Sequence, residues 1–221
     1  KYAKALRDAG RLNRAAVVLT PFAQDSSLKS EAVKTEYASI QAAMGNYKEA
    51  ENYARQAVLI NPDIGQPYHV LGTALDAQGF HDQAEVAFRR ALEHWQGNPA
   101  TVLNNLGLNL ASQGFLDEAV DVLRKAQAAD PQRAEIERNL RIVTTLQQNA
   151  GFHGNKKRAA VPLPEQKSAQ KAADEQAAAV TASKMKPAAG TSVEKTVDTA
   201  VKTVEKTAVK KVETTAKATT N

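Results

Sequence analysis

The feature that most constrains this chain is an internal repeat with a period of 34 to 35 residues. The stretch YHVLGTALDAQGFHDQAEVAFRRALEHWQ begins at Tyr68, and a close copy, LNNLGLNLASQGFLDEAVDVLRKAQAADP, begins at Leu103. An earlier copy runs from Met44, and a more divergent one surrounds Gly10. Self-similarity at such a period is typical of stacked arrays, in which each unit buries its apolar face against the next.

Each repeat predicts two helices joined by a tight turn. In the unit that contains Tyr68, the apolar residues Leu71 and Leu75 follow it at spacings of three and four, which is helical spacing. Gly79 should end this first helix, because glycine favours the left-handed backbone of a C-terminal cap. A second helical pattern runs from His81 to Glu93. The fold prediction is therefore an all-α solenoid of helix pairs.

Small residues occupy the positions where the paired helices should cross, for example Gly72, Ala84 and Ala91. A bulky side chain at such a position would push the two backbones apart. We interpret these residues and the periodic leucines as core positions, which report on the fold and not on chemistry.

The repeats and a change in composition divide the chain into two parts. The predicted solenoid covers residues 1–150, with a truncated first unit at about 1–28, units at about 31–62, 65–99 and 100–133, and a capping helix at 134–148. The predicted second part is a disordered Lys/Ala/Thr-rich tail at 151–221, which has no aromatic residue after Phe152. Such a composition buries too little apolar surface to offset the entropy of ordering.

Charge is unevenly distributed between the two parts. From Gly151 onward there are 13 lysines and arginines against 7 acidic residues, a net charge of +6 that leaves the first 150 residues at −1. Two alternatives to a simple solvated tail follow. One is a weak amphipathic helix through Val193, Val197, Val201, Val204 and Val212 that binds a partner or an anionic surface. The other is a polyanion-binding arm, although interleaved acids and the lack of aromatic residues argue against nucleic acid.

Nothing in the sequence indicates catalysis. The four histidines form no HExxH pair or other ligand spacing, and no GxSxG, GxGxxG or phosphate-binding loop occurs. The absence of cysteine excludes disulfides and thiolate sites. No apolar run is long enough to span a bilayer, although peripheral or lipid-anchored association stays compatible with the chain. The prediction is a non-catalytic protein with no cofactor and no metal.

The repeat resembles the tetratricopeptide repeat (TPR), whose units carry an aromatic residue, Leu-Gly, Tyr or Leu, and then Ala, Phe, Ala and Pro at fixed offsets. Those offsets hold Tyr68, Leu71, Gly72, Leu75, Ala84, Phe88 and Ala91 in one unit, and Leu103, Leu106, Gly107, Leu110, Ala119, Leu123, Ala126 and Pro131 in the next. The resemblance implies a scaffold that binds segments of other proteins in a concave groove lined by the first helix of each unit.

Repeat phasing selects the residues that should line this groove. The principal candidates for peptide binding are His69, Thr73, Asp76, Asn104, Asn105, Leu108, Arg138 and Asn139, with Thr35, Ser39, Gln66, Ser112 and Ile142 as further members. Asn105 and Asn139 share one offset, and the resemblance implies that asparagines there hold a ligand's backbone, since an amide donates and accepts at once. Val70 and Glu36 interrupt this ladder in earlier units. The alternative is that the asparagines are merely solvated.

A narrower resemblance concerns the last repeats. Asn104-Asn105-Leu106, Gly114, Glu118-Ala119 and Asn139-Leu140 are similar to the final repeats of the TadD family of tight-adherence (Flp) pilus assembly. That resemblance implies work in a bacterial cell envelope, at the periplasm or outer membrane. The alternatives are a cytosolic adaptor or chaperone for another complex, and a binder of polyanions or envelope polymers that acts through the basic tail.

Overall fold

A computed structural model of the chain describes residues 1–149, 155–158, 161 and 163. In this part of the chain the helices are α1 Tyr2–Asp8, α2 Leu12–Gln24, α3 Glu31–Ala43, α4 Tyr47–Ile60, α5 Gly65–Ala77, α6 His81–Glu93, α7 Ala100–Gln113, α8 Leu116–Ala129 and α9 Ala134–Asn149. The described residues form no strand. The all-α prediction is therefore confirmed.

The helices stack in the order in which they occur along the chain. Each packs against the next, and the first helices of successive pairs, α3, α5, α7 and α9, also pack against one another. This pattern is a solenoid, in which contacts are made between neighbours in sequence and in space. It places α3, α5, α7 and α9 along one side.

The turns inside the helix pairs are closed by glycine. Gly10, Gly45, Gly79 and Gly114 have φ values between 73° and 86°, a left-handed conformation that other residues rarely adopt. At Gly79 the glycine N–H donates to the Asp76 carbonyl at 2.9 Å, and the Phe80 N–H donates to the Leu75 carbonyl at 3.0 Å. These two bonds satisfy the last carbonyl groups of α5 and turn the chain into α6.

Two further glycines set the distance between paired helices. A Cβ atom on Gly72 would lie 2.7 Å from the Phe88 ring, and one on Gly107 would lie 2.6 Å from Cγ of Leu123. Ala84 and Ala91 are fully buried opposite α5. The sequence-based interpretation of these small residues as helix-crossing positions therefore agrees with the structure.

One continuous apolar core runs through the central pairs and into α9. It reaches from Ala38 and Ala54 through Phe88, and includes Ile136 and Val143 of the last helix. A smaller cluster around Leu6 and Ile40 serves the first pair. The opposite side of α9 keeps Ile142 and Leu146 about half exposed.

The described residues after α9, namely 155–158, 161 and 163, are here called the strap because they lie back across the repeats. Oδ1 of Asn155 accepts the Leu116 N–H at 3.1 Å, and the Lys156 N–H donates to the Gly114 carbonyl at 2.9 Å. Leu163 packs against the main core.

Arg158 holds the strap to the second helices of two pairs. Its guanidinium donates to Glu85 at 2.6 and 3.0 Å and, through Nε, to Glu118 at 2.9 Å. It also lies 4.1 Å from the centroid of the Phe115 ring, within cation–π range. Arg89 bridges the same two carboxylates and donates to the Val161 carbonyl.

The strap lies within the region 151–221 that the sequence assigns to a disordered tail, and the boundary at residue 151 stays a prediction. The strap is held by charge-assisted hydrogen bonds and by backbone hydrogen bonds. Amino-acid composition does not predict these contacts, because they bury little apolar surface. The remaining residues of the predicted tail, including the valine pattern at 193–212, lie outside the described residues.

Candidate functional site

The first helices of three successive pairs enclose a groove of about 470 Å³. Its lining comes mainly from α3, α5 and α7 and consists of Arg7, Ser39, Ala42, Ala43, Tyr47, Gln66, His69, Val70, Thr73, Asp76, Ala77, Phe88, Asn105 and Leu108. His69, Thr73 and Asp76 share one face of α5 because they are spaced four and three residues apart. The groove is therefore a direct product of repeat phasing.

A relay of side-chain amides connects three helices beside this groove. Nδ2 of Asn139 on α9 donates to Oδ1 of Asn104 on α7 at 2.9 Å. Nδ2 of Asn104 donates to Oδ1 of Asn105 at 3.4 Å, and Nδ2 of Asn105 lies 2.9 Å from Nε2 of His69 on α5. The amide is a donor, so Nε2 of the imidazole must accept and the ring proton must sit on Nδ1.

Burial keeps His69 neutral. The ring is half-buried among aromatic neighbours, with centroid distances of 6.0 Å to Phe88 and 5.6 Å to Trp95. Removal from water lowers the pKa of His69 to about 4, because the imidazolium form loses its hydration. At neutral pH the groove therefore presents an uncharged imidazole whose orientation is set by Asn105.

Asp76 is fixed at the end of α5 by a second set of hydrogen bonds. Its Oδ1 accepts from Nδ2 of the fully buried Asn109 at 2.7 Å and lies 2.7 Å from Nδ1 of His81. Nε2 of Gln113 completes the set by donating to Oδ1 of Asn109 at 2.8 Å. The carboxylate therefore has a defined position at one edge of the groove.

Arg7 of the first helix contributes a guanidinium to the groove lining. Its Nε donates to Oε1 of Glu36 at 2.8 Å, and this hydrogen bond raises the pKa of the arginine further. Glu36 occupies one of the two positions at which the asparagine ladder is interrupted. Because Glu36 is paired with Arg7, its negative charge is neutralised. The groove lining thus has nearly balanced charge and mostly neutral polar groups.

The structure brings five of the eight principal predicted residues to one groove. These are His69, Thr73, Asp76, Asn105 and Leu108, together with Ser39 and Gln66 from the additional set. Asn104 is buried beneath the surface and serves the relay, whereas Asn139 joins the relay from outside the groove lining. Arg138 is exposed on α9 and does not line this groove.

The additional predicted residues are divided in the same way. Thr35 is buried, with its hydroxyl donating to Glu31, and Ser112 and Ile142 are exposed outside the groove. Sequence reasoning missed Arg7, Tyr47 and Phe88. Arg7 could have been found, since it precedes Gly10 by three residues, as Asp76 precedes Gly79. Phe88 belongs to the core as well as to the groove lining.

The described part of the chain contains neither a cluster of metal-ligating side chains nor a membrane-spanning helix. Its histidines, aspartates and glutamates form no group of three that could hold a metal ion. Among the described helices, none combines the length and the apolar character that a bilayer crossing demands.

Comparison with known proteins identifies the repeats. Two family models described as tetratricopeptide repeat match residues 33–64 and 100–126. No curated protein sequence matches the chain. These two segments therefore match the tetratricopeptide repeat, in agreement with the sequence-based resemblance, while no relative's name supports the narrower resemblance to TadD.

Solved structures share the fold at low sequence identity. YrrB, "a TPR protein with an unusual peptide-binding site", is 23% identical, with a TM-score of 0.53 over 68% of this chain and 76% of that one. TTC0263, a TPR protein of Thermus thermophilus, is 18% identical, with a TM-score of 0.57 over 65% and 78%. MamA of AMB-1 is 18% identical, with a TM-score of 0.53 over 89% and 93%. These similarities establish only that the chain shares the solenoid fold.

Proposed function

We propose that this tetratricopeptide-repeat chain is a non-catalytic scaffold that holds an extended segment of another protein in the α3/α5/α7 groove. Proteins built from these repeats generally mediate protein–protein interactions, and YrrB carries a peptide-binding site on the same fold. The observation that carries the proposal is the amide relay that ends at His69, because it fixes polar groups along the groove before any ligand arrives.

The relay suits a peptide backbone. The Nδ1–H of His69 is a neutral donor for a ligand carbonyl, and Thr73 and Gln66 offer hydroxyl and amide groups along the same helix. Preorganised groups lose little conformational entropy on binding, so they favour affinity. The groove charges lie at its margins, with Asp76 at one edge and Arg7 bound to Glu36. Such a lining favours main-chain recognition over selection by net charge.

A steric block tests the groove directly. Peptides are first selected from a random display library on the full chain, and their affinities are then measured by calorimetry. Thr73→Arg places a long side chain in the groove and should weaken binding at least about tenfold. The matched control is Val86→Arg, since Val86 is 62% exposed on α6 and lies outside the groove lining. Equal affinity for both variants would place the peptide elsewhere and refute the proposal.

The asparagines are tested by a double substitution of Asn105 and Asn139 to alanine. If the relay orients His69, peptide affinity falls while helix content by circular dichroism is retained. Full-strength binding by this variant would show that the two asparagines do not contribute to peptide binding.

We further propose that the partner belongs to a bacterial envelope assembly of the Flp pilus type. The support is the likeness of Asn104-Asn105-Leu106 and the following glycine turn to the last repeats of the TadD family. A photo-crosslinking residue at Thr73, introduced in the native cell, should capture a pilus secretin, an assembly ATPase or another envelope protein. A cytosolic complex as the sole crosslinked product would support the adaptor alternative instead.

The tail-based alternative is distinguished by salt. Binding of a polyanion through the basic residues after 151 should weaken steeply as sodium chloride is raised, because neutralised anions release counterions. Groove binding to neutral peptide backbone should change little over the same range. Partners that are captured by the full chain but not by residues 1–150, and that are lost at high salt, would assign the function to the tail.

A further inference from the structure

A second cavity lies away from the groove, at the junction of α2, α3 and α4. It has a volume of about 410 Å³ and shares no lining residue with the groove. The end of α2, the following loop, one residue of α3 and the last two turns of α4 enclose it. Among its described lining residues two are lysines, Lys29 and Lys34, and none is acidic. The cavity is therefore an electropositive site.

Lys34 gives this cavity its chemistry. The residue is 7% exposed, and its ammonium donates to the backbone carbonyl of Ala23 in the last turn of α2. The same ammonium lies 5.3 Å from the centroid of the Tyr53 ring. An ammonium has three donor protons, and a buried one is stable only when its charge is compensated.

No carboxylate compensates it within ion-pair distance. In the described part of the chain, no Asp or Glu oxygen lies within 4.0 Å of the Lys34 ammonium, whereas most other partly buried cations have such a partner. The loop residue Asp25 directs its Oδ1 to the backbone and hydroxyl of Ser27 at 2.8 and 2.6 Å. The pKa of Asp25 is lowered mainly by these hydrogen bonds and, to a smaller extent, by the Lys34 charge, so the two charges attract each other at longer range. Lys34 therefore forms no close ion pair and keeps donor capacity inside a cavity.

The rim of the same cavity is apolar and exposed to solvent. Leu59 is 83% exposed, and Ile60 and Leu28 are 37% and 36% exposed. These three residues line the cavity with Lys34. Large exposed aliphatic side chains around a charged pocket are typical of a surface that is covered by a partner.

We propose that this cavity binds a linear protein segment in which an acidic side chain is followed by large apolar residues. The carboxylate pairs with Lys34, and Lys29 adds longer-range attraction at the rim. The apolar residues of the ligand cover Leu28, Leu59 and Ile60. The site is independent of the groove, so one chain can hold two segments at once.

Two synthetic peptides test the site on the full chain: Ac-SGELLGS-NH2 and its neutral counterpart Ac-SGQLLGS-NH2, each with a fluorescent label for anisotropy. The acidic peptide should bind about tenfold more tightly than the neutral one, because a charge-assisted hydrogen bond contributes enough for that ratio. Lys34→Met keeps the aliphatic stem and should abolish this difference.

Surface variants keep the test decisive if Lys34→Met fails to fold. Leu59→Ser should weaken both peptides about fivefold, through loss of apolar contact on an exposed residue. Val86→Ser is the matched control, because it removes an exposed aliphatic side chain from α6, and it should leave both affinities unchanged. Thr73→Arg in the groove should also leave them unchanged.

Four results would overturn the proposal, and the first three concern the cavity itself. They are equal affinities for the acidic and neutral peptides, retention of the preference by Lys34→Met, and the absence of binding by either peptide at millimolar concentration. Loss of binding on Thr73→Arg would also overturn it, since the acidic segment would then occupy the groove. The first three results do not bear on whether neutral peptides bind the groove.

Discussion

The two sides of the central repeats hold their polar side chains in different ways. On the groove side, the amides of Asn104, Asn105 and Asn139 and the neutral ring of His69 form a relay without charge. On the side of the second helices, Glu85 and Glu118 are bridged by arginines from α6 and the strap. The relay on the groove side uses neutral dipoles, whereas the cluster on the other side uses ion pairs.

This difference matches what each side has to hold. A neutral relay leaves donors and acceptors available to an incoming backbone and costs little desolvation. The ion-pair cluster has all its charges matched internally, so it fixes a segment of its own chain. Burial alone would raise the pKa of Glu85, but hydrogen bonds from Arg158, Arg89 and Gln113 outweigh it, and the net result is a lowered pKa. We therefore expect the strap side to have a structural role, and we propose the groove side as the binding surface.

The largest expected effect is the response of the groove side to acid. The pKa of His69 is about 4 in the folded chain, and an unfolded histidine titrates near 6.5. Between these values the unfolded state binds a proton that the folded state does not, so stability falls as the pH drops from about 6.5 to 4. The expected loss is roughly 3 kcal/mol at most. Urea denaturation at a series of pH values measures it.

The variant His69→Gln serves as the reference for this prediction. Glutamine retains an acceptor for the Asn105 amide and does not titrate. The loss of stability between pH 6.5 and 4 should therefore be smaller in His69→Gln than in the wild type. An identical pH dependence would show that His69 is not the titrating group.

The next effect concerns the centre of the relay. Asn104 is 4% exposed and is hydrogen-bonded to Asn139 and Asn105. Asn104→Ala removes both of these hydrogen bonds, although Asn105 keeps its contact with His69, and it should cost about 2 kcal/mol of unfolding free energy. Ser112→Ala removes an exposed hydroxyl that bonds only within α7, and it should cost less than about 0.5 kcal/mol. Equal costs would indicate that the relay is not formed in solution.

A smaller effect is expected on the strap side. Arg158→Ala removes the bonds to Glu85 and Glu118, but Arg89 remains to bridge these carboxylates, so the loss should be about 1 kcal/mol. The more sensitive measurement is trypsin cleavage after Lys156 and Lys157, which should accelerate once the strap is released. Lys157→Ala removes an exposed charge from the same segment, and it is the control for the expected loss of unfolding free energy. An unchanged cleavage rate at Lys156 in Arg158→Ala would show that Arg158 does not hold the strap.

The smallest effect should separate the two sides by salt alone. Raising sodium chloride from about 0.05 to 0.5 M screens partly exposed ion pairs and should speed cleavage of the strap modestly. The neutral relay should be insensitive, so peptide affinity in the groove should hold within about twofold. If groove affinity falls as much as strap protection does, charge governs both sides and the contrast between them is lost.

Much of the groove could be derived from repeat phasing. The offset that places Asp76 before its turn glycine also places Arg7 and Ala42, and all three line the groove. Phasing could not show that Asn104 and Asn139 would bind each other, because side-chain direction between adjacent helices depends on how those helices pack. It also could not show that the ring of His69 would be kept neutral by Phe88 and Trp95, which come from the next helix and the loop after it.

The sequence by itself determined the solenoid. A repeat of 34 to 35 residues with glycine at each turn and small residues at each crossing admits one way of stacking, since neighbouring units must bury the same face. Tertiary structure alone decided the relay, the electropositive cavity around Lys34 and the path of the strap. Each of these depends on groups that are 11 to 73 residues apart, and their distances are set by packing between helices. A local sequence pattern cannot predict such distances, although it is sufficient to predict the turns and the helix faces.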